Sequence, residues 1–94
     1  FEKSIGGPNP FILDGSPARF TITKLRDNST VKIFSLNGVV VRELTSNNGL
    51  VIGGQAYWDG KDYNGDPVAS GVYLYLAFTD DGKSTAGKIA VIRK

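Results

Sequence analysis

The 94-residue sequence predicts an all-β fold, an immunoglobulin-like or fibronectin type III-like β-sandwich of about seven antiparallel strands. Three observations carry that expectation. Short runs rich in β-branched and aromatic residues are separated by clusters of Gly, Asn, Asp and Pro. These turn signals recur roughly every 8–12 residues, the spacing of a sandwich or barrel. No stretch places its apolar residues at helical, 3.6-residue period.

The elements follow in order. Residues 1–8 read as a linker from an upstream domain, because Gly6-Gly7-Pro8-Asn9-Pro10 favours an extended path and precludes a helix. The domain is expected to run over residues 9–94. Ala18 to Thr23 alternates, with Ala18, Phe20 and Ile22 on one face. Thr30 to Leu36 is β-branched and aromatic and follows the turn signal Asp27-Asn28-Ser29. Asn37-Gly38 then separates two apolar runs, which predicts a tight hairpin through a type I′ turn into Val39–Leu44.

Thr45 to Gly49 is a polar loop, and Gln55 to Trp58 leads into a second turn cluster, Asp59 to Pro67. Gly71 to Phe78 is the longest strand signal, with Val72, Leu74, Leu76 and Phe78 on one face and Tyr73, Tyr75 and Ala77 on the other. Asp80-Asp81-Gly82-Lys83 closes a hairpin into Lys88–Ile92. The expected inward set is Phe20, Ile22, Val31, Ile33, Val41, Leu44, Trp58, Val72, Leu74, Leu76, Ile89 and Val91.

Composition excludes much chemistry. The chain has no Cys and no His, which removes disulfides, thiol nucleophiles, Cys/His zinc sites and His-based triads. Eleven Lys and Arg against 9 Asp and Glu leave a net charge of +2, too small a surplus to argue for nucleic acid. No apolar run approaches the ~20 residues of a membrane span. The sequence starts Phe1-Glu2-Lys3 without Met, as expected of a module cut from a longer chain or of a processed form.

Asp59, Asp62, Asn64 and Asp66, interspersed with Gly60 and Gly65, are the densest polar cluster. Alternating oxygen ligands on a Gly-flexed loop suit a weakly bound calcium ion. Asp and Asn also build their own turns, and that reading needs no ion. As an acid pair for glycoside hydrolysis the cluster lacks an evident cleft. No Ser-x-x-Lys, Gly-x-Ser-x-Gly or phosphate loop occurs, so no enzyme is expected and no cofactor.

Tyr57, Trp58, Tyr63, Tyr73 and Tyr75 offer flat faces for stacking sugars, with Tyr73 and Tyr75 as a half-exposed stripe, but Trp58 is expected in the core, since few large residues are available to fill a sandwich. The terminal Lys88-Ile89-Ala90-Val91-Ile92-Arg93-Lys94 is either a last strand with a solvated end or an address read by a receptor.

Trp58-Asp59-Gly60-Lys61-Asp62-Tyr63-Asn64-Gly65-Asp66-Pro67-Val68-Ala69-Ser70-Gly71-Val72-Tyr73 resembles the signature of the immunoglobulin-like domain named after the flagellar hook-capping protein FlgD. Asn9-Pro10-Phe11 resembles the opening of such domains, and Val31 to Gly38 is similar to their Val-x-Ile-Tyr-Asp-Leu-x-Gly strand and turn. Ser35 and Val39 depart from that pattern, where Asp and Arg are frequent.

The pattern also resembles the C-terminal sorting domains of the type IX secretion system, through Gly71, Tyr73, Lys88, Ile89, Val91, Arg93 and Lys94. The resemblance implies a non-catalytic C-terminal accessory module of a larger secreted or cell-surface bacterial protein. Its role would be sorting, with the terminal strand as handle for strand addition, or that of a spacer. The expected partners are the upstream domain, secretion machinery or polysaccharide, with no nucleic acid and no membrane span. The alternative function is a carbohydrate-binding module attached to a secreted hydrolase.

Overall fold

The computed structural model describes residues 4–94; the first three residues of the expected linker lie outside the described residues. The strands are β1 (Ile5–Gly7), β2 (Phe11–Leu13), β3 (Phe20–Thr23), β4 (Thr30–Ser35), β5 (Val40–Leu44), β6 (Val51–Ile52), β7 (Gln55–Trp58), β8 (Gly71–Phe78) and β9 (Ser84–Arg93), with no helix among the described residues. They form a four-stranded sheet in the order β1-β3-β7-β6 and a five-stranded sheet in the order β2-β9-β8-β4-β5. The two sheets close on one apolar core as a β-sandwich. All pairings are antiparallel except β2 with β9, which run parallel from Phe11↔Val91 to Leu13↔Arg93.

The core is aromatic at its centre. Trp58, Phe11 and Phe20 are essentially inaccessible. Their rings meet at tilted angles, Phe11 to Phe20 at 5.7 Å and Phe11 to Trp58 at 5.8 Å, and Tyr73 meets Trp58 edge-on at 5.9 Å. Such offset and edge contacts suit the ring quadrupole better than face-to-face stacking. Ile22, Val31, Ile33, Leu44, Ile89 and Val91 fill the layers around them, as the alternation predicts.

On β8 the expected faces are exchanged. Tyr73, Tyr75 and Ala77 point into the core, while Val72 and Leu74 are exposed and Leu76 and Phe78 half-buried. Both faces of this strand are apolar, so alternation alone cannot tell in from out, and cross-strand partners decide. Tyr73 pairs with buried Ile89, Ala77 with buried Val31, and Tyr75 with Gly87. Gly87 leaves the space the Tyr75 ring occupies: a Cβ there would lie 2.5 Å from Tyr75 Cζ. The phenols stay satisfied inside, Tyr75 Oη bonding Ser4 Oγ at 2.6 Å and Tyr73 Oη donating to Ala69 O at 2.8 Å.

Val41, expected inside, packs against the core but stays half-buried. The β4–β5 register shifts between Ile33↔Arg42 and Phe34↔Val40, so Val41 is the extra residue of a bulge. The Asn37-Gly38 hairpin also differs in kind from the type I′ expectation. Gly38 N donates to Ser35 O at 3.0 Å, Ser35 N to Val39 O at 2.9 Å, and only Gly38 takes positive φ (84°). This is a longer loop, a turn followed by a left-handed glycine, whose geometry produces the bulge twist. Thr79 to Lys83 repeats the same device around Gly82.

The stretch read as linker contains structure. Ile5–Gly7 forms β1 and pairs with Thr21–Thr23 of β3, adding an edge strand ahead of residue 9. Glycines without side chains gave no strand signal there, yet a Cβ on Gly6 would lie 2.7 Å from Phe20 Cζ, so the close approach requires glycine.

Candidate functional site

The terminal-strand residues come together at one side of the five-stranded sheet. Gly71 pairs with Val91 and Tyr73 with Ile89, which makes the β8–β9 ladder the physical unit behind the Gly-x-Tyr and Lys-rich signals. Along β9 the side chains divide. Tyr73, Ile89 and Val91 are buried, whereas Lys88, Arg93 and Lys94 are exposed. Burial pushes the Tyr73 phenol above its ordinary value of 10.0, so it remains a donor to Ala69 O.

From Lys88 onward the strand is not an open edge, which corrects the expectation of a terminal handle free for strand addition. β2 pairs with Val91 to Arg93 on the side away from β8. Before that, the Asn9 side chain takes the place of a strand: its Nδ2 donates to Lys88 O at 3.2 Å and its Oδ1 accepts from Ala90 N at 2.9 Å. A primary amide carries the same donor and acceptor as a peptide unit, so one asparagine covers one rung of edge. Lys94 N donates to Leu13 O at 2.7 Å, and Arg93 N to Ser70 Oγ at 2.8 Å. Sequence reasoning placed Asn9 in the linker-like entry and the Asn-Pro-Phe resemblance, and Ser70 in the Trp58–Tyr73 signature, without a role for either, and missed Ser4; a polar side chain acting on a remote strand leaves no periodic signal.

The Trp58–Ser70 segment folds onto the indole. Trp58 Nε1 donates to Lys61 O at 3.0 Å, Val68 N to Gly60 O at 2.9 Å, and Lys61 bridges to Pro67. Gly60 has φ 80°, and a Cβ there would lie 2.6 Å from Leu13 Cδ2. Asp62 Oδ1 accepts from Asn64 N at 2.9 Å and Asp66 N at 3.1 Å, while Asp59 Oδ1 accepts from Lys61 N at 3.0 Å. Asp59 also faces Arg42 at 3.6 Å. The structure uses Asp59 and Asp62 to build turns, and no group of three or more acidic side chains among the described residues is gathered to hold a metal ion.

The aromatic platform is redistributed. Trp58, Tyr73 and Tyr75 lie in the core, so the half-exposed stripe of Tyr73 and Tyr75 does not exist. Tyr57 is half-buried under Arg19, whose guanidinium lies 4.5 Å from the ring centroid. Tyr63 alone of these stands out, 62% exposed, on the rim of a shallow depression of about 600 Å³ with Arg42, Glu43, Asn48, Asp59 and Lys61.

No protein-family model and no curated protein sequence matches the chain. Among solved structures, the chain is similar to part of PorZ, described as an essential bacterial surface component of the type IX secretion system of Porphyromonas gingivalis. The identity is 28% and the TM-score 0.75, over 96% of this chain and 11% of PorZ. The chain therefore spans about a tenth of the length of the protein it resembles.

Proposed function

We propose that this chain is a non-catalytic accessory module, C-terminal in a larger secreted or cell-surface bacterial protein, that serves type IX-type sorting. The observation that carries the reading is the likeness to a domain of PorZ across nearly the whole chain. Exposed cations near the end of the chain support it: Lys88 in the β8–β9 ladder, Arg93 paired with Leu13 of β2, and Lys94 just beyond the strand offer positive charge to a receptor. With β2 and Asn9 covering the edge, recognition runs through these side chains and not through backbone pairing.

The test is a reporter fused ahead of the full chain, with an export signal, in a bacterium with the type IX system and in a matched strain lacking it. Reporter on the surface or in the medium of the competent strain alone supports sorting. Arg93→Ala with Lys94→Ala should then reduce export while leaving the thermal transition in place. Reporter held in the periplasm of both strains refutes sorting and leaves the spacer role.

Exposed Tyr63 above a polar depression favours a second reading, a weak saccharide site, because one aromatic face beside mixed donors and acceptors suits a pyranose ring. Affinity electrophoresis on a panel of soluble polysaccharides tests it. Retardation that Tyr63→Ala abolishes supports the site; no retardation on any polysaccharide refutes it.

A further inference from the structure

We propose that Asn37 and Asn64 are sites of spontaneous covalent modification in the folded chain, deamidating to aspartate and isoaspartate, and that Asn48 is shielded from the same reaction. The observation is one turn used four times. Gly38, Gly49, Gly65 and Gly82 take φ of 84°, 78°, 82° and 84°. Each donates its N–H to the carbonyl three residues back, on Ser35, Ser46, Asp62 and Thr79, at 3.0–3.2 Å. These are turns closed by a left-handed glycine. The residue before the glycine is asparagine in three of them, Asn37, Asn48 and Asn64, and Asp81 in the fourth.

Asparagine followed by glycine is set up for an intramolecular reaction. The glycine nitrogen gives its proton to solvent base and attacks Cγ of the preceding side chain. Nδ2 takes a proton and leaves as ammonia, closing a five-membered succinimide. Water then adds to one of the two ring carbonyls. Opening at Cγ gives aspartate; opening at the backbone carbonyl gives isoaspartate, whose main chain runs through Cβ and Cγ. One side-chain amide and one water are consumed, and one carboxyl group and one ammonia are formed. Attack needs nitrogen and Cγ brought together as a near-attack pair. Glycine, with no Cβ, leaves its nitrogen open to that approach.

The glycine N–H bond restrains all three Asn-Gly turns alike, so the side chains decide. Asn48 is locked. Its Oδ1 accepts from Thr45 N at 3.0 Å and from Leu50 N at 3.1 Å, and its Nδ2 donates to Glu43 O at 2.9 Å. Rotating Cγ onto Gly49 N breaks all three bonds, each worth roughly two- to tenfold. Asp81 is held in the same way by Thr79 Oγ1 and Lys83 N. The Asn37 and Asn64 side chains are exposed and bond no described protein group, so they are free to change rotamer. Their turns differ in bracing. Asp62 Oδ1 accepts from Asn64 N at 2.9 Å and from Asp66 N at 3.1 Å, whereas no described side chain bonds across the Ser35–Val39 loop. The order of reactivity is therefore Asn37, then Asn64, then Asn48. Asn64 lines the depression below Tyr63 with Arg42 and Lys61, so its conversion adds an acid to that surface. Each event also lowers the net charge of +2 by one.

Peptide mapping by mass spectrometry tests this on the full chain, incubated at mildly alkaline pH both folded and unfolded in guanidinium chloride. An isoaspartyl methyltransferase marks the isoaspartate product. Unfolded, the three Asn-Gly pairs are expected to convert at similar rates. Folded, Asn48 should lag Asn37 by at least about tenfold, with Asn64 between them. The rates should rise with pH, because the glycine nitrogen must lose its proton. Asp62→Ala should bring Asn64 up toward Asn37 and leave Asn37 and Asn48 unchanged. The thermal transition shows whether that variant folds; should it not, the three sites of the wild-type chain carry the test. Asn48 converting as fast as Asn37 or Asn64 in the folded chain, or either Asn37 or Asn64 staying intact while the unfolded chain converts, overturns the proposal.

Discussion

Replacing Gly87 by Ala probes the least obvious feature of the core, the inward Tyr75. The added Cβ would lie 2.5 Å from Tyr75 Cζ and 2.6 Å from its Oη, far inside contact distance. The ring has little room to retreat, because its hydroxyl is held at 2.6 Å by Ser4 Oγ and the residue is 4% exposed. Overpacking of this kind costs about 1–3 kcal/mol. At roughly 4–8 °C per kcal/mol for a domain this size, Tm should fall by about 4–24 °C. Gly7→Ala, on the same kind of edge but with nothing within 4 Å of the new Cβ, is the control and should hold or slightly raise Tm. In a Tyr75→Val background the Gly87→Ala cost should largely vanish, giving a coupling energy of about 1–2 kcal/mol by chemical denaturation. A Gly87→Ala transition within ~2 °C of wild type would refute the inward ring and return β8 to the opposite face assignment.

Other outcomes follow from the same geometry. Deleting Lys88–Lys94 removes Ile89 and Val91 from the core and the partner of β2, so calorimetry should show no cooperative transition. Trp58→Phe loses the indole bond to Lys61 O and core volume; a loss of about 2–3 kcal/mol in urea unfolding is expected, and an unchanged midpoint would contradict the loop's anchoring on Trp58. Asn9→Ala opens the β9 edge, and hydrogen exchange at the Ala90 amide should accelerate with a stability loss near 1 kcal/mol. Asp81 and Asp14 are held below the ordinary value of 3.8, by hydrogen bonds from Thr79 and from Ser16. Carboxyls lowered in the folded state contribute stability that is present above 3.8 and lost as pH falls through their folded values. Tm should therefore be flat from neutral pH down to about 5 and decline below about 4, and Asp81→Ala should shallow that decline.

Much of the fold was legible because it rests on local rules. Phe20 and Ile22 alternate with Thr21 and Thr23, and Val31 and Ile33 with Thr30 and Lys32, so a period of two is enough to send them inward. The turns around Gly38, Gly65 and Gly82 were marked by residues that tolerate left-handed backbone. The resemblance located the Trp58–Ser70 segment, and its physical content is the indole bond to Lys61 O that folds the loop back on its own strand.

What alternation could not supply was set by partners distant in sequence. The face of β8 depends on Gly87 leaving room opposite Tyr75, and on Ser4, 71 residues away, satisfying its hydroxyl. The closing of the β9 edge depends on one amide 79 residues from Lys88 and on a parallel strand of three residues. Local sequence was enough to locate the longer strands β3, β4, β5, β7, β8 and β9, the positions of the turns between them and the absence of Cys- or His-based chemistry, because these follow from residue type and nearest neighbours. Tertiary structure alone decided which face of the central strand is core and which is left apolar and uncovered, because a strand apolar on both sides carries no preference until its neighbours are in place.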